Sequence, residues 1–208
     1  MCGVNISRDP IDWDSSYIQG LSSEELDYAK QLKGLRQYSW IAGRIAARHA
    51  IGYYSKDKFS ILTDPFGCPI APKGYALSIT HKEKIAIAMV APSHHHFIGV
   101  DYEYYAPMRS GISSKVLRSE ELDVIASFSP ERQWISTLLH FSTKEAIYKA
   151  IAPKHKRYIG FQEVSLRPHR DGHIDIAWHL EKGPTPKTYE ARYIWLEEGL
   201  LTSAKVSW

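Results

Sequence analysis

The sequence predicts an α+β protein made of two similar halves. Three observations predict it. A helical stretch followed by strand-like pieces spans residues 22–103, and the same order returns over 119–208. Segment 131–152 carries apolar residues at helical spacing, whereas 97–102 alternates like a strand. No linker-like or low-complexity tract interrupts the chain. The halves are expected to be residues 1–105 and 106–208.

Taken in order, Ser22 and Glu25 form a capping-box pattern that opens a helical region over 22–51. Gly34 is expected to divide it into two helices, and Gly52 to close it. Strands are expected at 59–62, 74–79, 85–90 and 97–102, with "DPFGCP" (64–69) as a turn. Helices follow at 119–127 and 130–152, then strands near 163–167, 174–179, 189–195 and 201–207.

The chain has 208 residues, enough for one large domain or two small ones with a real core. It has no run of 18 apolar residues, so no membrane-spanning helix is expected. The start "MCGVNISRDPIDWD" is too polar and acidic for a signal peptide. Cys2 and Cys68 are far apart and in no metal-like spacing, which suits a reducing compartment and a cytoplasmic location. The net charge is 26 − 23 = +3. That suits anionic ligands but is too weak to argue for nucleic acid.

"HFIGVDYEYY" (96–105) turns from apolar strand to paired acids. Asp101 and Glu103, two residues apart, project from one face, with Ile98, Val100 and Tyr102 on the other. Two carboxylates this close repel, and each raises the other's pKa. In "ERQWISTLLHFSTKEAIYKAIA" (131–152), Trp134, Leu138, Phe141, Glu145 and Tyr148 fall on one stripe, with Lys149 one turn after Glu145. Ordinary readings exist for each: a solvated strand end, and an i,i+4 Glu–Lys pair worth roughly 0.2–0.5 kcal/mol. Together the three carboxylates form an all-oxygen set that suits Mg²⁺ shared with a phosphate ligand. That reading requires the fold to bring Glu145 near the strand acids.

"IGVDYE" (98–103) and "FSTKEAIYK" (141–149) resemble the paired signatures (I/V)-G-(I/V)-D-x-E and (W/F)-(S/T/C)-x-K-E-(A/S)-x-x-K of 4′-phosphopantetheinyl transferases. "LSITH" (77–81) is similar to the L-S-x-S-H motif that precedes them, and "FGCP" (66–69) resembles the family's Y-G-K-P turn. "AGRIAAR" (42–48) resembles a helix of the siderophore-synthase-associated branch. The length is similar to the monomeric surfactin-type enzymes, with two similar halves and the active site between them.

The resemblance implies transfer of the 4′-phosphopantetheine arm of coenzyme A to a serine of an apo carrier protein (acyl, peptidyl or aryl carrier domain), with release of 3′,5′-ADP. It implies Asp101, Glu103 and Glu145 as ligands of Mg²⁺, with Mn²⁺ as the alternative. Glu145 is also implied as the base, directly or through a metal-bound water, and Lys149 as the group that binds the pyrophosphate and stabilises the transition state. Lys144 would be a second phosphate contact. Coenzyme A, as co-substrate, would be held by Arg44 or Arg48 with His81 at its 3′-phosphate, and by Ser78, Thr80, Gly67 and Pro69. Glu121 aligns loosely with an acid of the family.

The chain departs from the pattern at Thr80 (usually Ser), Phe141 (commonly Trp), Tyr102 (usually aliphatic) and Cys68 (usually Lys). "SHHHF" (93–97) reads as a polar loop before a metal site. "HKRYIGF" (155–161) reads equally as a basic loop or as a surface facing an acidic carrier. No nucleic-acid or membrane partner is expected, and the expected state is a monomer. Two other classes remain open: another Mg²⁺-dependent phosphoryl-transfer enzyme, and a basic binding module without chemistry.

Overall fold

The computed structural model describes residues 1–6, 11–13, 15, 18–54, 59–93, 95–109 and 111–208. The chain divides into two compact units, Met1–His94 and His95–Trp208. Both are α+β, and each opens on a strand that pairs antiparallel with that unit's own last strand.

In the first unit β1 (Cys2–Asn5) precedes α1 (Ser23–Gln31), α2 (Gly34–Gly52), β2 (Tyr75–Lys82) and β3 (Ile85–Pro92), and the sheet order is β1-β3-β2. The capping box forms as its spacing predicts. Ser22 N–H donates to Glu25 Oε2 at 2.8 Å, and Glu25 N–H donates to Ser22 Oγ at 3.3 Å. Small residues Ala46, Ala47 and Ala50 let α2 lie close on the sheet, where they pack with Ile51, Leu77, Ala88 and Val90.

The second unit runs β4 (His96–Tyr104), α3 (Ser113–Val116), α4 (Ser119–Ala126), α5 (Pro130–His155), β5 (Val164–Pro168), β6 (His173–Trp178), β7 (Thr188–Trp195) and β8 (Gly199–Ser207). Its sheet order is β4-β8-β7-β6-β5. Helix α5 starts with Pro130 in its first turn, where a missing N–H is harmless, and ends on Lys156 in a left-handed conformation. Its buried side is Trp134, Leu138, Ala146, Ile147, Ala150 and Ile151, packed on Val164, Ile174, Leu200, Ala204 and Val206.

Four expectations change. The boundary does not fall after Tyr105, because β4 pairs along its whole length with β8, from His96↔Ser207 to Tyr104↔Gly199. The expected strand at 59–62 does not form. Its backbone polar groups go to helix side chains instead: Ile61 N–H donates to Glu25 Oε1 (2.9 Å), and Ile61 O accepts from Arg44 Nε (3.0 Å). Strand β1 and the short α3 have too few residues to show a period and were not anticipated. Of "SHHHF", His94 lies outside the described residues and His96 already belongs to β4.

Candidate active site

The paired acids and the Lys-Glu helix lie in one unit, and one glycine sets their closeness. Gly99, Asp101 and Glu103 share the face of β4 turned to α5. A Cβ built on Gly99 would stand 1.8 Å from Ala146 O and 2.8 Å from Ala150 N, so the helix backbone rests directly on the strand. That approach brings Ser142 and Lys149, i and i+7 on one side of α5, onto Asp101. Lys149 Nζ donates to Asp101 Oδ1 at 2.7 Å and to Val100 O at 3.0 Å. Ser142 Oγ donates to Asp101 Oδ2 at 2.9 Å. Thr202 Oγ1, from β8, lies 2.9 Å from both the hydroxyl and the carbonyl oxygen of Ser142. Asp101 and Glu103 are only 5% and 4% exposed. Glu103 is neutralised by Arg109 at 2.9 Å, and that guanidinium also lies over the Phe141 ring.

Glu145 sits between Phe141 and Tyr148 on α5, and both rings pack on Phe161 at 5.6 Å. The expected stripe is therefore divided. Trp134 and Leu138 enter the core, whereas Phe141, Glu145 and Tyr148 are half-buried beside the Phe161 turn. Tyr148 donates to Gly160 O at 2.7 Å. Its hydroxyl pKa is pushed far up, first by burial and then by the nearby Glu145 charge, which keeps it a donor.

The donor chemistry fits a hard divalent cation. Two buried carboxylates on one face demand positive charge, which Lys149 and Arg109 supply here. The expected trio, however, is not assembled as a ligand set. Among the described residues, no group of three or more His, Cys, Asp or Glu side chains could hold a metal ion. Sequence reading missed Ser142, Arg109 and Thr202. Only Ser142 carried a signal, its heptad spacing to Lys149.

Lys144 is not a phosphate contact. Its side chain is wholly buried, and its three donors are taken by Glu121 Oε2 (2.7 Å), Val116 O (2.8 Å) and Phe161 O (3.0 Å). Burial lowers its pKa, opposed by Glu121. Glu121 accepts further from Leu166 N (2.7 Å) and Arg118 N (2.8 Å), so this pair ties α4 and β5 to α5. In the 155–161 loop, Arg157 is forked onto Glu163 (2.9 and 2.6 Å), leaving fewer cations to face a partner.

In the first unit the two arginines are turned inward. Arg44 is 6% exposed, bonds Ile61 O and Thr63 Oγ1, and stacks on Trp40 at 4.1 Å. Burial lowers its pKa to about 10. Arg48 pairs with the wholly buried Glu25 and donates to Phe59 O at 2.7 Å. Arg44 is therefore not placed to grip a phosphate as expected, and Arg48 is committed through its Nη2 group to Glu25 and Phe59, with its Nε unpartnered among the described residues. The turn is real. Asp64 Oδ1 accepts from Phe66 N (2.9 Å) and Cys68 N (2.8 Å), and Gly67 takes φ +86°, which favours glycine. Thr63 and Pro69 close it as a bridge. Ser78 and Thr80 are buried, while His81 is exposed. Strand alternation puts His81 on the opposite face of β2 from both hydroxyls.

Comparison with known proteins decides the family. Residues 97–202 match the 4′-phosphopantetheinyl transferase superfamily, and residues 24–91 match the 4′-phosphopantetheinyl transferase N-terminal domain. The chain belongs to the 4′-phosphopantetheinyl transferase superfamily. It is 30% identical over 167 residues to the 4′-phosphopantetheinyl transferase Npt of Nocardia iowensis, covering 70% of this chain and 71% of that one. Svp of Streptomyces mobaraensis is 27% identical over 168 residues (79% and 68%), and PptT of Mycobacterium tuberculosis 28% over 182 (82% and 79%). Both are likewise 4′-phosphopantetheinyl transferases. Among the described residues, no helix is long and apolar enough to cross a membrane.

Proposed function

We propose that this transferase moves the 4′-phosphopantetheine arm of coenzyme A to a serine of an apo carrier protein, with Asp101 and Glu103 as the carboxylates that would hold Mg²⁺ and Glu145, one turn before Lys149, as the base. The observation that carries the reading is Asp101 held between Lys149 and Ser142, which lays the "STKEAIYK" helix on the "VDYE" strand in a member of this family. Bound Mg²⁺ would neutralise the pyrophosphate and the strand acids.

The remaining work falls to the chain. Glu145 takes the proton of the serine hydroxyl. The serine oxygen bonds to the β-phosphorus, the bond from that phosphorus to the bridging oxygen breaks, and 3′,5′-ADP leaves. The Lys149 ammonium, 30% exposed beside Asp101, stabilises the charge on the phosphates. On the nucleotide side His81, Ser78, Thr80 and the Gly67–Pro69 turn would hold coenzyme A, whereas Lys144 has all three donors taken within the fold and Arg44 and Arg48 are engaged by Thr63, Ile61, Glu25 and Phe59. We place the enzyme in the surfactin-type branch, as a cytoplasmic monomer serving secondary-metabolite or siderophore carriers. The separate N-terminal match and the two units, each with a long helix on an antiparallel sheet, support that placement.

The test is intact-protein mass spectrometry of an apo carrier incubated with the protein, coenzyme A and Mg²⁺, beside an EDTA control. One phosphopantetheine added only when metal is present supports the reading. Addition at the same rate in EDTA removes the metal from it, and no addition to carriers of all three types overturns it.

A further inference from the structure

Away from the paired acids, a groove of about 910 Å³ lies between α4, the N-terminal half of α5, and strands β5 and β6. That is the size of a small-molecule site. Buried Ile125, Leu139, Leu166 and Ile176 line it, with the Phe128 ring at its side. Its charges are unevenly matched. Each acid that lines it is already engaged: Glu120 by Arg118 (2.6 Å), Glu121 by Lys144 (2.7 Å), and Asp175 by His169 (2.6 Å) and His173 (3.4 Å). Buried His140 hydrogen-bonds Ser136 O at 2.7 Å, and burial keeps it neutral. Arg132 and Arg167 differ. Both are exposed, and neither hydrogen-bonds or ion-pairs with a described residue, although Arg132 lies over the Phe128 ring at 4.2 Å. Arg167 stands opposite Asp175 across the β5–β6 pair, and its charge helps lower that carboxyl's pKa, so Asp175 offsets it in part. The groove therefore combines an apolar floor with two exposed guanidiniums that make no direct hydrogen bond to a described residue, groups suited to forked binding of oxyanions.

We propose that this groove is a second ligand site, taking an amphipathic anion with an apolar tail and a single oxyanion head. Carboxylate and phosphate heads share that chemistry. Its floor includes Glu121, the partner of Lys144, so the ligand would lie against the pair that anchors α5 next to Glu145.

Isothermal titration of the whole protein with decanoate, decyl phosphate and decyltrimethylammonium tests this. Saturable one-to-one binding of decanoate, decyl phosphate or both is expected, and which one binds identifies the head. The cation should not bind. The double variant Arg132→Ala/Arg167→Ala should weaken anion binding at least tenfold while its melting temperature stays unchanged, because both side chains are exposed. Coenzyme A at saturation should not displace the anion. Absence of saturable binding, equal binding of the cation, full affinity in the double variant, or displacement by coenzyme A would each overturn the proposal.

Discussion

Gly99 lies directly under Ala146, with room for no side-chain atom between the strand and the helix carbonyl. Backbone blocks that contact on the helix side, so the neighbour cannot yield by changing rotamer. Gly99→Ala must push α5 off β4 and carry Ser142 and Lys149 away from Asp101. The expected loss is about 3 kcal/mol, the upper end for overpacking, with transfer lost even where the protein stays folded. Urea denaturation beside the carrier assay checks both. A variant of normal stability and activity would show that the helix does not rest on the strand there.

Lys144 and Glu145 are neighbours in sequence with opposite duties. Lys144→Met leaves Glu121 buried without its cation, a change expected to cost about 3–5 kcal/mol. Adding Glu121→Gln should recover part of that loss, since the amide oxygen still accepts from Leu166 N. Refolded enzyme carrying both changes should keep transfer within a few-fold. Glu145→Gln should do the reverse, melting normally while transfer falls about 10²–10⁴-fold, the usual worth of a general base. A stable but inactive Lys144 double variant would return that ammonium to the phosphates.

Arg48→Ala separates the same two roles in the first unit. Glu25 is wholly buried and would lose its guanidinium, so we expect destabilisation of about 3–5 kcal/mol. Arg48→Ala paired with Glu25→Gln should be more stable than Arg48→Ala alone. In the protein that remains folded, KM for coenzyme A should be unchanged. A raised KM with unaltered melting would mark Arg48 as a phosphate ligand after all.

Acid stability follows from two groups of the second unit. The Arg157 fork holds the Glu163 carboxyl at about 2, below its ordinary 4.5. A depressed folded pKa contributes stability that is full above 4.5 and lost as pH falls toward 2. His140 acts in a higher window. Burial lowers its pKa below 6.5, so the unfolded chain takes up the proton first and stability falls as pH drops through that region. Denaturation midpoints read across pH should flatten in the lower window for Glu163→Gln and in the upper one for His140→Gln. Unchanged slopes would show that neither group sets the acid limit.

How far the sequence could be read depended on whether a feature is local. The capping box of Ser22 and Glu25, the break at Gly34 and the turn of Asp64 depend on neighbours within a few residues, and all three appear as expected. The β4 boundary depended on a partner about a hundred residues away, β8, and so was misplaced. Arg44 and Arg48 share a helix face in sequence, but only the fold shows that the face turns inward to Glu25, Ile61 and Phe59. Lys144 misled for the same reason, because a motif cannot show which of its two lysines is enclosed. Asp101 and Lys149 were legible because strand and helix periods each fix a direction, and the two directions meet.

The Ser142 hydroxyl gives the narrowest test of the site. It holds the Asp101 oxygen that Lys149 does not, and Thr202 braces it from β8. Ser142→Ala removes one hydrogen bond and little volume, so stability should change by about 1 kcal/mol. The carboxylate would then be free to turn, which loosens any cation it holds; loss of such outer support typically costs 10–100-fold in metal affinity or activity. Mn²⁺ binding followed by paramagnetic resonance should weaken within that range, and the carrier assay should demand correspondingly more metal. Thr202→Val should give a smaller effect in the same direction, and the double variant should lose no more than Ser142→Ala alone, because the threonine acts only through the serine. Two additive losses would show that Thr202 reaches Asp101 by another route.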